Sequence, residues 1–139
     1  MVVATALLYV ALFAVPAKAV DKTKSMGPDI RAFTAQIKSN IRPRIAGYNF
    51  NETMMGCFYF YDNWTMPQLG EESRLKKIIC ATDPEFDSVI VNRDHPRPEA
   101  IAYIDAQTGC PYRILAEKYT GSGGKHARGL FWIKGLTQP

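Results

Sequence analysis

Two histidines are the residues of this sequence that could exchange protons near neutral pH, and they define the chemistry that the chain could perform. His95 lies in a proline-rich stretch and His126 in a glycine-rich one. An acid–base pair would use His126 as the acid and Glu99 or Glu117 as the base. The alternative, two solvated histidines in loops, is the more common arrangement and is favoured here. The sequence therefore offers candidate catalytic groups without establishing a catalytic site.

The glycine-rich stretch has the sequence GSGGKHARG and could hold an anion with its backbone N–H groups and three cationic side chains. It lacks the Walker pattern and does not open a helix, which argues against a nucleotide site of that type. An RNA phosphate could still bind Lys125, His126 and Arg128, whereas the simpler interpretation is a mobile hairpin end. Two histidines and three scattered cysteines do not have the spacing of zinc ligands, so we predict neither a metal site nor a cofactor.

Aromatic residues near the C-terminus could stack on bases, as they do in proteins that bind single-stranded RNA. Phe131 and Trp132 are neighbours on one predicted strand, so their side chains point to opposite faces. We therefore predict that Trp132 is exposed and contacts the ligand. The predicted RNA-binding residues are Arg113, Tyr119, Lys125, His126, Arg128 and Trp132.

The charge of the chain is compatible with an anionic ligand. Lysine and arginine outnumber aspartate and glutamate by 17 to 13, and the excess is concentrated near both ends of the sequence. Basic surfaces attract polyanions such as RNA through counterion release. A net charge of +4 is also mild enough to serve solubility alone, so charge does not decide between the two.

The N-terminus has the features of a secretory leader. An apolar run ends in Ala17-Lys18-Ala19, the small-residue pattern of a signal-peptidase site. A membrane anchor is the alternative, but the run is short for a membrane span and contains Pro16. We predict a signal peptide at residues 1–19, a flexible segment at 20–28 and a single domain at 29–139. The protein is therefore expected to be secreted, without a membrane partner.

Secretion would give a role to the cysteines and to two glycosylation sequons. Three cysteines in a secreted chain allow one disulfide and leave one thiol over. The sequons are Asn51-Glu52-Thr53 and Asn63-Trp64-Thr65. Either asparagine would carry a glycan only if the chain enters the secretory pathway.

Hydrophobic periodicity predicts an amphipathic helix from Asp29 to Ile41 and a second helix from Glu71 to Ala81. The stretch 93–98 is predicted as a loop because it contains two prolines. Apolar and aromatic runs predict strands at 48–50, 54–61, 86–92, 100–105, 113–118 and 130–133. The short connections indicate an α+β fold in which a helix packs on an antiparallel β-sheet.

Around the last two cysteines the chain resembles a known family. A helix ends at Cys80, and 30 residues later a turn with Cys110-x-Tyr112 separates two strands, before Thr120-Gly121-Ser122-Gly123. This arrangement resembles the fungal guanyl-specific ribonucleases. The resemblance implies a microbial ribonuclease-like fold with a disulfide between Cys80 and Cys110. Cys57 matches the first cysteine of the family, but the partner near the C-terminus is missing, so Cys57 is left over.

The catalytic residues of that family are matched less well. These enzymes use a Glu base, an Arg that stabilises the charged phosphorane and a His acid just before a Thr-Gly loop. Here Tyr119 precedes Thr120-Gly121, and a tyrosine, with a pKa of about 10, is a poor acid near neutral pH. Arg97 is the cation nearest to the family's arginine position, and the strand at 86–92 has no glutamate.

Loss of the catalytic centre on a secreted scaffold resembles the ribonuclease-like effectors of powdery mildew fungi. The resemblance implies a catalytically inactive virulence effector that is delivered into the host cytoplasm and binds host RNA or a host protein, with a plant immune receptor as one candidate. We expect a monomer. The alternative is an active secreted endoribonuclease of the guanyl type with rearranged catalytic groups, drawn from His95, Arg97, Glu99 and His126. The third hypothesis is an unrelated adhesive or inhibitory β-rich domain.

Overall fold

The computed structural model describes residues 26–120 and 128–136. In chain order the described elements are helix α1 (Gly27–Thr34), a 3-10 helix (Ser39–Arg44), strand β1 (Ile45–Tyr48), helices α2 (Glu52–Asp62) and α3 (Glu72–Ile79), strand β2 (Ser88–Arg93), helix α4 (Arg97–Thr108), and strands β3 (Tyr112–Thr120) and β4 (Arg128–Gly135). The fold is therefore α+β, as predicted.

The N-terminal elements differ in part from the prediction. The predicted signal peptide at residues 1–19 lies outside the described residues. Of the segment predicted to be flexible, Gly27 and Pro28 form the first turn of α1, where proline is tolerated because an N–H there has no partner within the helix. The helix predicted from Asp29 to Ile41 ends at Thr34, and a 3-10 helix that contains Pro43 follows it.

The four described strands form one mixed sheet in the order β1-β2-β4-β3. β2, β4 and β3 pair antiparallel, as predicted, whereas β1 pairs parallel to β2. The parallel pair is possible because α2 and α3 lie in the connection and return the chain to the end where β1 began. On the outer edge of β1, Gly47 N–H donates to Pro67 O and Leu69 N–H donates to Gly47 O, at 2.7 and 2.8 Å. β3, at the opposite edge, has a bulge between Ile114 and Ala116.

Helices cover both faces of this sheet. Phe58 of α2 packs in the same cluster as Trp132, on the face that α1 and α2 cover. Ile104 of α4 packs in the same cluster as Phe131, on the face that α3 and α4 cover. Phe131 and Trp132 therefore belong to opposite faces, yet both are buried, with exposed fractions of 0% and 9%. The prediction that Trp132 is exposed is wrong because neither face of β4 is open to solvent at this point.

Residues 54–61 are helical, not the strand that their aromatic composition predicts. The side-chain oxygen of Asn51 accepts a hydrogen bond of 2.9 Å from the backbone N–H of Met54 and caps α2. Met54 and Phe58 lie one turn apart and are buried, so core packing outweighs the preference of aromatic residues for strands. The strand predicted at 48–50 is found earlier, at Ile45–Tyr48.

Residues 100–105, predicted as a strand, belong to helix α4. The helix begins at Arg97 with Pro98 in its first turn, so only residues 94–96 of the predicted loop connect β2 to α4. Ala100, Ile104 and Thr108 are buried at intervals of four, which places them on one helix face. The helix ends before Gly109, whose φ of 65° is in the left-handed region that favours glycine.

The remaining predicted elements are confirmed: the helix around 71–81 and the strands around 86–92, 113–118 and 130–133. The disulfide that the resemblance implies is also present. Cys80 at the end of α3 bonds to Cys110 just before β3, with the two Cα atoms 5.5 Å apart. Cys57 on α2 is a free, half-buried thiol. None of the described helices combines the length and the apolar character that a membrane crossing requires.

Candidate functional site

One group of polar residues that the sequence singles out comes together where α4 covers β3. Arg97 Nε donates to both carboxylate oxygens of Glu117, at 3.0 and 3.1 Å. Tyr119 follows two residues later on the same face of β3. Its ring packs edge-on against Phe131, with 5.8 Å between ring centroids, and its buried hydroxyl has no hydrogen-bond partner in the part of the chain that the structure describes. Burial, and then the charge of Glu117, raise the pKa of Tyr119 against the opposing charge of Arg97, so this phenol is an even poorer acid than usual.

The other predicted catalytic residues do not join this group. His95 and Glu99 are exposed, and neither side chain has a hydrogen-bond or ion-pair partner in the described part of the chain. Arg97 lies on a helix, not on the strand that the family pattern implies. His126 lies outside the described residues. Within residues 26–120 and 128–136, no histidine is paired with a carboxylate, so the acid–base pair considered from the sequence is not assembled there.

The described members of the predicted RNA-binding set do not form one surface. Arg128 Nε lies 3.4 Å from the carboxylate of Asp94, and Trp132 is buried. Arg113 is exposed and has no ion-pair partner among the described residues. It lies six residues before Tyr119 on β3, a separation on the order of 20 Å along an extended strand. Lys125, like His126, lies outside the described residues.

A different surface is prominent on α2. Four neighbouring residues of this helix point away from the core. We call them the α2 surface: Met55, Gly56, Tyr59 and Phe60. The exposed fractions are 81% for Phe60, 60% for Tyr59 and 36% for Met55. Isolated exposed apolar residues are ordinary, but large ones side by side mark sites of interaction.

An apolar cavity of about 260 Å³ adjoins the α2 surface. Its lining residues come from α2 and from the segments on either side of it: Phe50, Met55, Gly56, Phe58, Tyr59, Trp64, Thr65, Met66 and Gln68. The walls are held by edge-to-face ring contacts, with Phe58 centred 5.3 Å from Phe50 and 5.8 Å from Trp64. The cavity is therefore a preformed apolar recess beside exposed aromatic rings.

Gly56 lies at the centre of this surface and has no packing role among the described residues. A Cβ added at Gly56 would have no neighbouring atom within 4 Å. Glycine in the middle of a helix costs about 1 kcal/mol relative to alanine. Its absent side chain leaves room for another molecule to approach the backbone of α2 closely.

A larger, open depression of about 510 Å³ lies beside the disulfide. Two of its polar side chains bind each other, because the Tyr112 hydroxyl donates to the Asp105 carboxylate at 2.7 Å. Burial raises the pKa of Tyr112, and the hydrogen bond and charge of Asp105 raise it further. We regard the α2 surface as the better candidate site because its apolar side chains have no covering group among the described residues.

Sequence reasoning missed the α2 surface because it assigned these residues to a strand. A helical signal was present: Asn51 stands three residues before Met54, and Met54 and Phe58 are spaced by four. On a helix with that buried face, Met55, Tyr59 and Phe60 must point outward.

In comparisons with known proteins, no family model, no curated protein and no solved structure matches this chain. The resemblance to guanyl-specific ribonucleases therefore rests on the spacing of residues around Cys80 and Cys110 and on the disulfide between these two cysteines.

Proposed function

We propose that this protein is a secreted, non-catalytic binding protein that recognises another protein through the α2 surface. The observation that carries the proposal is the exposure of Phe60 and Tyr59, at 81% and 60%, beside an apolar cavity. Aromatic residues of this kind supply most of the binding energy in many protein interfaces. A protein partner would remove both rings from water.

The cavity indicates how such a partner would dock. Sites for drug-sized ligands usually have volumes of roughly 300–1,000 Å³, so a cavity of about 260 Å³ suits a single apolar side chain better. An anchor side chain from the partner would enter the cavity while its backbone passes over Gly56. Phe60 and Tyr59 would then pack against the partner on either side of the anchor.

The ribonuclease-like resemblance implies two possible ligands, RNA and a protein. Of these, a protein is better supported. Two of the cations that the sequence singles out are engaged with acids, Arg97 with Glu117 and Arg128 with Asp94. The tryptophan expected to stack on a base, Trp132, is buried. Secretion in this proposal rests on the leader-like N-terminus and on the disulfide, which is typical of oxidising compartments. On this proposal the chain acts as an effector by occupying a surface of a host protein.

The proposal is tested by comparing partners of the wild-type protein with those of the variant Tyr59→Ser/Phe60→Ser. Both side chains are exposed, so the variant should keep its fold, which circular dichroism and the free Cys57 thiol count would verify. Arg113→Gln serves as the control, because Arg113 is also exposed and lies outside the α2 surface.

We expect candidate host extracts to yield a protein that is enriched by the wild type and by Arg113→Gln and is about tenfold depleted with the double variant. The same three proteins would be titrated with single-stranded RNA. RNA binding that persists in the double variant and is lost in Arg113→Gln would overturn the proposal in favour of an RNA-binding protein.

A further inference from the structure

Arg93, at the end of β2, is a half-buried cation that has no acidic partner among the described residues. No carboxylate in the described part of the chain forms an ion pair with it. Its guanidinium carbon lies 3.8 Å from the centroid of the Tyr103 ring, and its Nε is buried and has no hydrogen-bond acceptor within residues 26–120 and 128–136. Partly buried charges are normally paired, because removal from water is costly. The ring of Tyr103 supplies only the weaker attraction of an aromatic face.

Two phenol groups stand beside this cation. The hydroxyl oxygens of Tyr48 and Tyr103 are 3.3 Å apart, so one of them donates to the other. The O–H that accepts this bond keeps its own proton free to donate to a third group. Burial, and then the hydrogen bond with Tyr103, raise the pKa of Tyr48 far above its ordinary value, so it remains a neutral donor. Arg93 and these hydroxyls therefore present several donors.

The position of these residues in the sheet is also favourable for ligand binding. Tyr48 and Arg93 end β1 and β2, the parallel pair, and ligands of open sheets bind at the carboxyl ends of parallel strands. Arg93 lies on the same face of β2 as Val89 and Val91, which pack under α3 and α4. The cluster is therefore on the opposite face of the sheet from α2 and is independent of the α2 surface.

We infer that Arg93, Tyr48 and Tyr103 form a binding site for a small, singly charged oxyanion, a carboxylate or a phosphodiester group. The guanidinium fork matches two oxygens of such a group, and stacking on Tyr103 fixes the plane of the fork in advance. Glu72, at the start of α3, is the acid whose charge acts on Tyr48. Its negative charge disfavours a doubly charged ligand and selects a singly charged one.

The test is a titration of the mature protein with acetate, dimethyl phosphate and sulfate, followed by NMR of the arginine Nε–H groups at constant ionic strength. We expect a saturable shift of the Arg93 Nε–H resonance with acetate or dimethyl phosphate, with a dissociation constant on the order of 1 mM, and weaker binding of sulfate. Saturation by acetate alone identifies a carboxylate ligand, and saturation by dimethyl phosphate alone identifies a phosphodiester.

Four variants test the inferred binding site. Arg93→Gln should abolish the saturable shift at neighbouring resonances, and Arg93→Lys, which keeps the charge without the fork, should weaken binding about fivefold. Glu72→Gln should strengthen it about twofold, because it removes the opposing charge. Arg113→Gln, an exposed arginine elsewhere, should leave it unchanged. Equal binding by Arg93→Lys and wild type, equal loss in Arg113→Gln, or shifts that never saturate would each overturn the inference.

Discussion

The indole N–H of Trp132 donates to the hydroxyl of Ser88 over 2.9 Å, inside the core. The two residues lie on neighbouring strands, β4 and β2, and Ser88 is one of the few buried polar residues in the described chain. This bond satisfies the single polar group of a side chain that otherwise packs among apolar neighbours. It links the central strands through side chains as well as through the backbone.

Ser88→Ala should therefore lower the free energy of unfolding by about 1–3 kcal/mol, because it leaves the indole N–H buried without an acceptor. Chemical denaturation followed by circular dichroism measures this change. Ser73→Ala, at an exposed serine of α3, is the matched control and should change stability by less than about 0.5 kcal/mol. A Ser88→Ala protein as stable as the control would contradict the role assigned to this bond.

The Cys80–Cys110 disulfide should contribute about 3–4 kcal/mol to the free energy of unfolding, since it closes a loop over a separation of 30 residues. Replacing both cysteines by alanine and measuring the denaturation midpoint tests this value. The unfolded wild type should expose a single reactive thiol, that of Cys57. Detection of three thiols in protein from an oxidising compartment would show that the bond does not form.

Protonation of Asp83 should make the free energy of unfolding depend on pH. Burial disfavours its charged form, but hydrogen bonds from Arg74 and from the backbone N–H groups of Glu85 and Phe86 outweigh burial and lower its pKa. A carboxyl group with a lowered pKa stabilises the fold above the unfolded-state pKa of about 4, and the contribution is lost as pH falls through the folded-state pKa.

The variant Asp83→Asn should accordingly be less stable than the wild type at pH 7, by roughly 1–2 kcal/mol, and the difference should shrink toward pH 2. Urea denaturation at several pH values measures it. Glu99→Gln, at an exposed carboxylate without a partner in the described chain, should follow the wild type throughout. A constant difference between Asp83→Asn and wild type at all pH values would exclude a titration effect.

The purified protein should leave RNA that contains guanosine intact. The carboxylate of Glu117 accepts hydrogen bonds from Arg97 through both oxygens, and the raised pKa of Tyr119 removes it as an acid near neutral pH. Gel analysis of RNA incubated with the wild type, Glu117→Gln and His126→Ala measures any cleavage. Turnover by the wild type that both substitutions abolish would establish the alternative, a ribonuclease with rearranged groups.

A glycan on Asn63 should block the α2 surface. Asn63 is exposed and follows α2 directly, three residues after Phe60 and four after Tyr59, so a large flexible glycan attached there can extend over both rings. Protein from a eukaryotic secretory host that carries this glycan should bind the partner about tenfold more weakly than Asn63→Gly. Glycine suits this position because φ is 49°.

The matched control for this comparison is Asn51→Asp, made in the same host. It removes the other sequon while the new carboxylate can still cap α2. Its affinity for the partner should equal that of the glycosylated wild type. Equal affinity of Asn63→Gly and glycosylated wild type would instead place the partner away from α2.

Elements whose hydrophobic period agrees with their packing could be predicted from the sequence. Leu75, Ile78 and Ile79 mark α3 by their spacing, and all three are buried. In α2 and α4 the local signal conflicts with the packing, because aromatic residues favour strands and Pro98 suggests a loop. The helical state is selected there by burial against the sheet, which depends on contacts distant in sequence.

The candidate site was harder to predict than the fold. Met55, Tyr59 and Phe60 can be placed on the surface only if α2 is known to be a helix. Predicting a strand there assigns side chains to the core or to solvent with the wrong period. The burial of Trp132 requires knowledge that helices cover both sheet faces, which no local pattern in β4 contains. Arg93 was predicted in a loop, so its stacking on Tyr103 of a helix predicted as a strand could not be foreseen.

The two edges of the sheet limit how this protein can associate with others. The outward N–H and C=O of Gly47 on β1 are already bonded by the segment 67–69. At the opposite edge, the bulge between Ile114 and Ala116 interrupts the regular spacing of β3, and Arg113 and Glu117 flank it with charge. Capped and interrupted edges are the means by which natural sheets resist templated growth into fibrils. A protein built in this way can accumulate at high concentration without recruiting copies of itself through its backbone.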